Sequence, residues 1–310
     1  MSLIPATSLD GFHLTWENQQ ADLLVREYFK ALNEGTDSDI DRLLAPTFES
    51  HRRTGTAGRN GEKNRLLTLR AAFPDLTYEI HENVGVVVEG DLLALRTYIS
   101  GTHEGPYAGH EPTGKSFRIG NHHFFRHRNG RLVEHWEVED SYRILAELGL
   151  IPPSIPLFDE KPGSPFGIGV NRQTTRPEWH RSQVRAMYEG VVSTGNAEDA
   201  YGMADSYIQN TGRAPDGASH FNEEFVGFRQ VFQKGRSHQV QMVAERDRVI
   251  TRSRWDGYHL GDLGPLPATG RAVDFTTADT FRFEDGVIVE HWDTTDFLAM
   301  LDSLGVMNSR

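Results

Sequence analysis

The first part of the chain opens with helical periodicity. Leu24, Tyr28 and Leu32 recur at a spacing of four residues and therefore share one face of a helix. Two further helices are predicted over residues 37–44 and 62–72. A proline stands two residues after the end of each of these segments and favours a helix end there.

Strands follow the helices. They are predicted over residues 91–100, 117–127 and 132–139. The last two flank Asn129-Gly130, which favours a two-residue hairpin turn. A final helix over residues 141–148 should end at Gly149, since glycine is a common residue at helix ends. Helices followed by an antiparallel sheet indicate an α+β domain, and a curved sheet closed by such helices would form a cone around a pocket.

The same pattern occurs twice in the chain. Residues 114–149 align without a gap with residues 270–305, at an offset of 156. The identical positions include Phe125, Arg126, Gly130, Glu134, His135, Trp136 and Asp140, which recur as Phe281, Arg282, Gly286, Glu290, His291, Trp292 and Asp296. Nearer the N-terminus the offset becomes 159, where Val25-Arg26 matches Val184-Arg185. Similarity held over a whole domain indicates an internal repeat.

The repeat predicts the domain organisation. We expect two tandem cone-shaped α+β barrel domains, each a curved antiparallel sheet with N-terminal helices that enclose a pocket. The domains are predicted at residues 1–151 and 181–310, joined by a linker over 152–180 that contains proline and glycine. Phe158, Phe166 and Ile168 indicate that part of this linker docks on a domain. The two domains are expected to pack as an internal pseudo-dimer, and a homodimer of the whole chain is a further possibility that the sequence leaves open.

Charge and composition exclude several classes of partner. The chain has 310 residues, a formal net charge of −12 and no cysteine. Its negative charge disfavours nucleic acid and anionic membranes as partners. Without cysteine there are no disulfides, thiolate metal sites or cysteine nucleophiles. Neither a signal peptide nor a membrane-spanning apolar run is evident, so a cytoplasmic location is expected.

Signals for a cofactor are weak. His123 and His127 stand four residues apart on a predicted strand, where this spacing does not converge on a metal as it would on a helix. Gly167-Ile168-Gly169 lacks the third glycine and the strand–helix context of a phosphate-binding loop. We therefore expect neither a metal nor an organic cofactor.

Several short motifs carry a resemblance to a known family. They are Phe73-Pro74-Asp75-Leu76, Gly101-Thr102-His103-Glu104-Gly105, Pro112-Thr113-Gly114-Lys115 and the Glu134-His135-Trp136, Asp140 and Leu148-Gly149 ending. These segments are similar to SnoaL-like polyketide cyclases, which have nuclear-transport-factor-2-like cone folds. The resemblance covers residues 22–151 and, less completely, 181–307, because Phe232 is followed by Gln233-Lys234 instead of Pro-Asp.

The resemblance implies a reaction and a pair of residues. Family cyclases close a ring by intramolecular aldol condensation without a cofactor, using an acid/base side chain in an apolar pocket. The key carboxylate of the family stands fourteen residues after a histidine, across the last hairpin. Carried onto this chain, the catalytic pair is His123 and Glu137 in the first copy and Asp279 and Asp293 in the second. The first copy thus has Glu for the family Asp, and the second has Asp for the family His.

The hairpin geometry leaves two alternatives for Glu137. Counted from a two-residue turn, His123 lies opposite Trp136 and His122 lies opposite Glu137, so His123 and Glu137 point to opposite faces. A β-bulge would bring His123 and Glu137 onto one face. Without a bulge, His122 is the better partner of Glu137. The structural alternative is that both histidines are ordinary strand residues without a catalytic role.

Further candidates each have a structural alternative. The candidate substrate-binding residues are His51, His103, His122, Trp136, Asn210, His259 and Trp292. The tryptophans are expected in the core or in a pocket wall, and the other five could instead be structural polar groups. Arg126 and Arg282 could orient a carbonyl, but contacts with Glu134 and Glu290 are favoured. Asp140 and Asp296 precede a predicted helix, so capping is favoured over catalysis.

Three functional hypotheses follow. The first is a cofactor-free enzyme, a SnoaL-like cyclase, that transfers protons on a small apolar carbonyl compound. The second is a non-catalytic protein that binds such a ligand. The third is another acid/base reaction on the same fold, such as epoxide hydration, which the Asp279/Asp293 pair suggests. An apolar cavity with Glu137 or Asp293 turned inward would favour catalysis.

Overall fold

The computed structural model describes residues 15–52, 58–159, 161, 176–195 and 203–307. Most of the predicted linker, with Phe166, Ile168 and the Gly167-Ile168-Gly169 sequence, lies outside these residues. The first half contains α1 (Trp16–Glu34), α2 (Asp37–Leu43), β1 (Leu44–Ser50), α3 (Gly58–Ala72), β2 (Thr77–Ile80), β3 (Val86–Glu89), β4 (Leu92–Thr102), β5 (Ser116–Arg128), β6 (Arg131–Val138) and α4 (Ser141–Glu147).

The second half repeats this order of elements. It contains α5 (Pro177–Met187), a π-helical turn (Tyr188–Val192), β7 (Met203–Gln209), α6 (Ala218–Val231), β8 (Phe232–Gln233), β9 (Ser237–Glu245), β10 (Arg248–His259), β11 (Ala272–Glu284), β12 (Val287–Thr295) and α7 (Phe297–Ser303). Helix α5 begins with proline at its first position, inside the stretch assigned from the sequence to the linker. In the described part of the chain, no helix is long and apolar enough to cross a membrane.

Each half builds one six-stranded sheet, and the two sheets have the same topology. The strand orders are β1-β6-β5-β4-β2 and β7-β12-β11-β10-β8, with β3 and β9 also paired to β4 and β10. The predicted α+β class and the two similar halves are confirmed. The sheets are mixed and open, however, whereas the sequence led us to expect antiparallel barrels, because β1 and β7 enter parallel to β6 and β12 at one edge.

The hairpin turns are where the sequence places them, but the strand after each turn carries an extra residue. Asn129 and Gly130 have positive φ angles of 51° and 68°, as a tight hairpin requires. Two residues farther along, the register shifts: Arg126 pairs with Glu134 while His127 pairs with Leu132. The extra residue is a β-bulge, and the second half has one at the same place.

The two sheets pack against each other through the faces turned away from the helices. A shared apolar cluster joins Phe124 and Val138 of the first half to Ile250 and Trp292 of the second. His122 is fully buried in this contact, where its ring nitrogens lie 2.9 Å from Thr294 Oγ1 and 3.0 Å from Thr280 Oγ1. The contact therefore combines apolar packing with buried hydrogen bonds.

Two structural roles expected from the sequence are confirmed. Asp140 caps α4 by accepting a hydrogen bond from the Arg143 backbone N–H at 3.1 Å, and Asp296 caps α7 in the same way from Ala299 at 2.8 Å. The arginines at equivalent strand positions contact glutamates of the neighbouring strand. Their Nε–carboxylate distances are 2.9 Å for Arg126–Glu134 and 2.7 Å for Arg282–Glu290.

Candidate active site

In the first half, the β-bulge brings His123 and Glu137 onto the same face of the sheet. The two residues pair directly across β5 and β6, and His123 Nδ1 lies 3.6 Å from Glu137 Oε1. His122, the alternative partner, points to the opposite face. A third residue, His135, places its Nε2 3.1 Å from His123 Nδ1. The structure thus assembles a buried His123–His135–Glu137 group in the first half.

Two arginines hold the Glu137 carboxylate. Arg52 forms ion pairs with both Glu137 and Glu62, and an Arg65 nitrogen lies 3.7 Å from Glu137. Burial raises the pKa of Glu137, but the charges of Arg52 and Arg65 outweigh burial and hold the pKa well below its usual range. A carboxylate with such a low pKa is a weak base, so this environment suppresses general-base chemistry at Glu137.

The same surroundings oppose a metal ion. Ligand atoms of His123, His135 and Glu137 lie within 4.8 Å of one another, a spacing that could hold a cation. Burial is the main cause that lowers the pKa of His123, to about 4, and that of His135, so both rings are neutral and able to ligate. The guanidinium groups of Arg52 and Arg65 already neutralise the one carboxylate. A divalent cation would therefore meet two fixed positive charges.

In the second half, the equivalent position holds Asp279, opposite Asp293 across the hairpin. The Tyr188 hydroxyl donates a hydrogen bond to Asp279 Oδ2 at 2.7 Å, and His291 Nε2 lies 3.0 Å from Asp279 Oδ1. Burial, and then the Asp279 charge, raise the pKa of Tyr188 well above its usual range, so the phenol stays protonated and remains a donor.

Asp279 and His291 form part of a chain of hydrogen bonds that also includes Gln209 and Tyr207. His291 Nδ1 lies 2.8 Å from Gln209 Oε1, an oxygen that also accepts a hydrogen bond from the Tyr207 hydroxyl. Because this oxygen can only accept, His291 Nδ1 carries a hydrogen. The chain of contacts therefore fixes the orientation of the His291 ring against Asp279.

Asp293 is held by two groups from the segment after β7. The Thr211 hydroxyl donates to Asp293 Oδ1 at 2.6 Å, and the Arg213 guanidinium forms an ion pair with Asp293 Oδ2. The Arg213 Nε also lies 3.5 Å from Glu224 Oε1. One arginine thus faces two carboxylates here, whereas in the first half two arginines converge on Glu137.

These groups border a cavity of about 360 Å³ in the second half. Asp279, His291, Asp293, Tyr188 and Arg213 all contribute to its wall. Most of the remaining wall is apolar and aromatic, from Phe225, Phe228, Phe232, Trp255, Phe275, Phe297 and Met300. The linker residues Ile155, Pro156 and Phe158 complete the wall, so the linker contacts this site. Ligand pockets commonly combine such an apolar wall with a few convergent polar groups.

None of the seven candidate substrate-binding residues lines this cavity. Trp292 and His122 lie in the contact between the sheets, which is the core alternative for Trp292. Trp136 stacks on His51 with ring centroids 4.7 Å apart, on the face away from Glu137. Asn210 donates to Glu290 Oε1 at 3.2 Å. The bulge in each hairpin turns Glu137 and Asp293, not the adjacent tryptophans, toward the helices.

His103 and His259 have a matching structural role. Each Nδ1 accepts a backbone N–H at 3.2 Å, from Thr113 in the first half and Thr269 in the second. Both rings are fully buried. They tie the two ends of a loop together in each copy, which is the structural alternative stated for them.

The sequence analysis missed His135 and His291 as site residues, and it missed Arg52, Arg213 and Tyr188. The histidines were visible as part of the repeated Glu-His-Trp sequence, and strand alternation places them on the same face as the residue two positions later. The other three come from elements distant in sequence, and no local pattern marks them.

Comparison with known proteins agrees with the repeat. The sequence model of the SnoaL-like polyketide cyclase family matches residues 22–148 and again residues 182–304. No protein with a curated description matches the chain. Among solved structures, IdmH, a candidate polyketide cyclase from Streptomyces antibioticus, is 32% identical over 42% of this chain and 99% of its own, with a TM-score of 0.38.

Two further solved structures are similar to this chain. TsrD from Streptomyces laurentii is 24% identical over 45% of this chain and 100% of its own, with a TM-score of 0.40. AclR, a candidate hydroxylase from Streptomyces galilaeus, is 27% identical over 45% of this chain and 85% of its own, also with a TM-score of 0.40.

Proposed function

This chain belongs to the SnoaL-like polyketide cyclase family, whose domain it carries twice, and we propose that its second half is the catalytic copy. The proposed reaction is cofactor-independent proton transfer on an apolar carbonyl compound, leading to aldol-type ring closure or isomerisation. The observation that carries this proposal is the cavity of about 360 Å³ whose apolar wall contains Asp279, His291, Tyr188 and Arg213.

Asp279 is the proposed base and acid. As a carboxylate it removes the proton from the carbon next to the substrate carbonyl, and the enolate electron pair then attacks a second carbonyl of the same molecule. Asp279 returns the proton to the alkoxide formed there, so the ring closure needs no further reactant. The contacts of Asp279 with Tyr188 and His291 support this role because they fix the position of the carboxylate in the cavity wall.

Arg213 is the proposed electrostatic partner of the substrate oxygen. Its guanidinium lies in the cavity wall and is oriented by the ion pair with Asp293. A fixed positive charge in a largely apolar cavity stabilises a developing enolate more strongly than water does. Asp293 thereby becomes a positioning residue, and its own titration is not part of the proposed step.

The first half is proposed to be a structural copy. Glu137 is the counterpart of Asp293, but Arg52 and Arg65 hold its carboxylate in an ion-pair network with Glu62. At the offset of 159, Glu62 corresponds to Phe221 and Arg65 to Glu224 in the second half. The charged network is therefore specific to the first copy, while the second copy has an aromatic side chain in place of Glu62.

A second candidate function uses the same cavity. Two carboxylates, Asp279 and Asp293, face each other across the hairpin where the family has a His/Asp pair. Two carboxylates with different hydrogen-bond partners could divide the roles of base and acid in the hydration of an epoxide. A cavity that only binds its ligand is the third alternative, and the activity measurement below separates it from both reactions.

The test is exchange of the α-protons of 2-tetralone, an apolar bicyclic ketone, for deuterium in D₂O, followed by NMR. Asp279→Asn removes the proposed base, and we expect the rate to fall by about 10²–10⁴-fold. His123→Asn introduces asparagine at the position of the first half that corresponds to Asp279. We expect this variant to exchange the α-protons as fast as the unmodified protein. Melting curves of both variants verify folding.

Three results would contradict the proposal. Equal rates in Asp279→Asn and the unmodified protein would remove Asp279 from the mechanism. A loss of exchange in His123→Asn alone would move the activity to the first half. Binding of 2-tetralone without any exchange would favour a binding protein.

A further inference from the structure

Gln209 is a buried polar residue at the end of β7 and lies in the wall of the second-half cavity. Its Cα pairs with that of His291 across the parallel strands β7 and β12. Gln209 Oε1 contacts the Tyr207 hydroxyl at 2.7 Å and His291 Nδ1 at 2.8 Å, and its Nε2 contacts Thr211 Oγ1 at 2.9 Å. The side-chain amide therefore links His291 on one side to Thr211 on the other.

The direction of these hydrogen bonds is set by Asp293. Its carboxylate, which is paired with Arg213, can only accept, so the Thr211 hydroxyl donates its single hydrogen to Asp293 Oδ1 at 2.6 Å. The Thr211 oxygen then accepts at its contact with Gln209, and only the NH₂ end of the amide can donate there. With the amide turned by half a rotation, the Gln209 and Thr211 oxygens would face each other without a hydrogen between them.

The orientation of the amide determines which groups donate to its oxygen. Because an amide oxygen can only accept, both His291 Nδ1 and the Tyr207 hydroxyl donate to Gln209 Oε1. Burial, and then the charge of Glu224, raise the pKa of Tyr207 well above its usual range, so the phenol keeps the hydrogen that it donates. With Nδ1 bound to Gln209, Nε2 is the His291 nitrogen that lies 3.0 Å from Asp279 Oδ1.

The first half lacks this chain of hydrogen bonds. Ser50 stands in place of Gln209 at the offset of 159, and His135 stands in place of His291 at the offset of 156. Among the described residues, neither Ser50 Oγ nor His135 Nδ1 has a hydrogen-bond partner. Each histidine ring stacks on a phenylalanine of the neighbouring strand, with centroids 4.1 Å apart in the first half and 4.7 Å apart in the second. The ring packing is therefore common to both halves, whereas the glutamine contact belongs to the half with the proposed catalytic cavity.

We propose that Gln209 is a positioning residue for the reaction in the second-half cavity. Its amide holds the His291 ring with a hydrogen on Nδ1 and with Nε2 toward Asp279, and His291 in turn orients the Asp279 carboxylate. The inference rests on the proposed function of this cavity. It gives Asp293 a second role, because the Asp293 carboxylate sets the direction of the hydrogen bonds that end at His291. Side chains that orient a reacting group in this way contribute to activity without touching the substrate.

The activity test uses Gln209→Met, which replaces the amide by an apolar side chain of similar length. We expect the rate of α-proton exchange at saturating 2-tetralone to fall by roughly 10- to 100-fold. The ketone concentration at half-saturation should stay within about twofold, because the change removes orientation of the base and leaves the size of the cavity similar. Ser50→Ala is the matched control at the equivalent position of the first half, and it should exchange as fast as the unmodified protein. Melting curves verify folding.

NMR of the histidine ring nitrogens reports the orientation of His291 independently of activity, with a His291→Gln variant to assign the signals. The unmodified protein should show a hydrogen-bonded Nδ1–H at His291, and Gln209→Met should lose this signal. Thr211→Val is a second variant, which removes the hydroxyl that contacts Asp293 and Gln209 at the far end of the chain. It should weaken the same Nδ1–H signal, because the amide is then no longer held in one orientation.

Several results would overturn the inference. One is a His291 Nδ1 without a hydrogen in the unmodified protein, and another is an unchanged Nδ1–H signal in both Gln209→Met and Thr211→Val. If Gln209→Met does not fold, the signal in Thr211→Val decides alone. The two proposals fail separately. Unchanged exchange in Asp279→Asn removes the proposed function, whereas unchanged exchange in Gln209→Met together with lost exchange in Asp279→Asn removes only the role of Gln209.

Discussion

The replacement Glu137→Gln should destabilise the protein, because it breaks a buried ion-pair network. The Glu137 side chain is 3% exposed and that of Arg52 is 11% exposed, so water screens their contact little. Removing one partner of a buried ion pair costs about 3–5 kcal/mol of folding free energy. Glutamine keeps one acceptor oxygen for Arg52, and we therefore expect a loss of about 3 kcal/mol. Urea unfolding at pH 7 measures this loss.

The pH dependence of that loss identifies its cause. The folded-state pKa of Glu137 lies well below its ordinary value of 4.5. A depressed carboxylate pKa contributes stability above the unfolded-state pKa, and this contribution is lost as pH falls toward the folded-state value. The free-energy difference between the unmodified protein and Glu137→Gln should therefore shrink by about 1.4 kcal/mol for each pH unit well below 4.5.

Asp293→Asn is the matched control in the second half. Asp293 is similarly buried, with 4% of its side chain exposed, but its partner Arg213 keeps Glu224 as a second carboxylate at 3.5 Å. We expect a smaller loss of stability than for Glu137→Gln. The reasoning is refuted if the free energy of unfolding of Glu137→Gln at pH 7 is within about 1 kcal/mol of that of the unmodified protein. It is also refuted if the difference between the two free energies stays constant down to pH 3.

Two further changes test local features of the fold. Asp140→Ala should cost about 0.5–2 kcal/mol because it removes the cap of α4, whereas Asp140→Asn should be mild below pH 4, since asparagine caps nearly as well as aspartate. The folded-state pKa of Asp140 is raised to about 7, so its ionisation destabilises the folded protein between pH 4 and 7, and Asp140→Asn should become more stable than the unmodified protein over that interval. An inactive Asn variant with unchanged melting would overturn the capping assignment. Gly227→Ala, inside α6, should add about 0.5–1 kcal/mol of stability in thermal unfolding, and a loss would show that the position is more crowded than its surroundings indicate.

The local parts of the fold were predictable from the sequence. The repeat, the Asn129-Gly130 turn and the Asp140 cap each depend on a few adjacent residues, and all three are present in the structure. Strand β1 was missed because Pro46 argues against a strand. An edge strand tolerates this proline, since a proline there need not donate to the sheet.

The site was less predictable, for two physical reasons. A single extra residue in β6 reverses which side chains face the helices, and the sequence contains no signal that Val133 lies at a bulge. The electrostatic difference between the halves arises from tertiary contacts, since Arg52 reaches Glu137 from 85 positions away. The sequence signals for this difference are the replacements at the offset of 159, where Glu62 corresponds to Phe221 and Arg65 to Glu224.

The central claim, that chemistry takes place in the second-half cavity, is tested most directly by α-proton exchange of 2-tetralone in the Gly227→Leu variant. Gly227 is not one of the proposed catalytic groups, it borders the cavity, and a Cβ added there meets no atom within 4 Å. The account predicts that exchange falls to the uncatalysed rate while the melting temperature does not decrease. Exchange at the unmodified rate in a folded Gly227→Leu protein would contradict it and place the active site elsewhere.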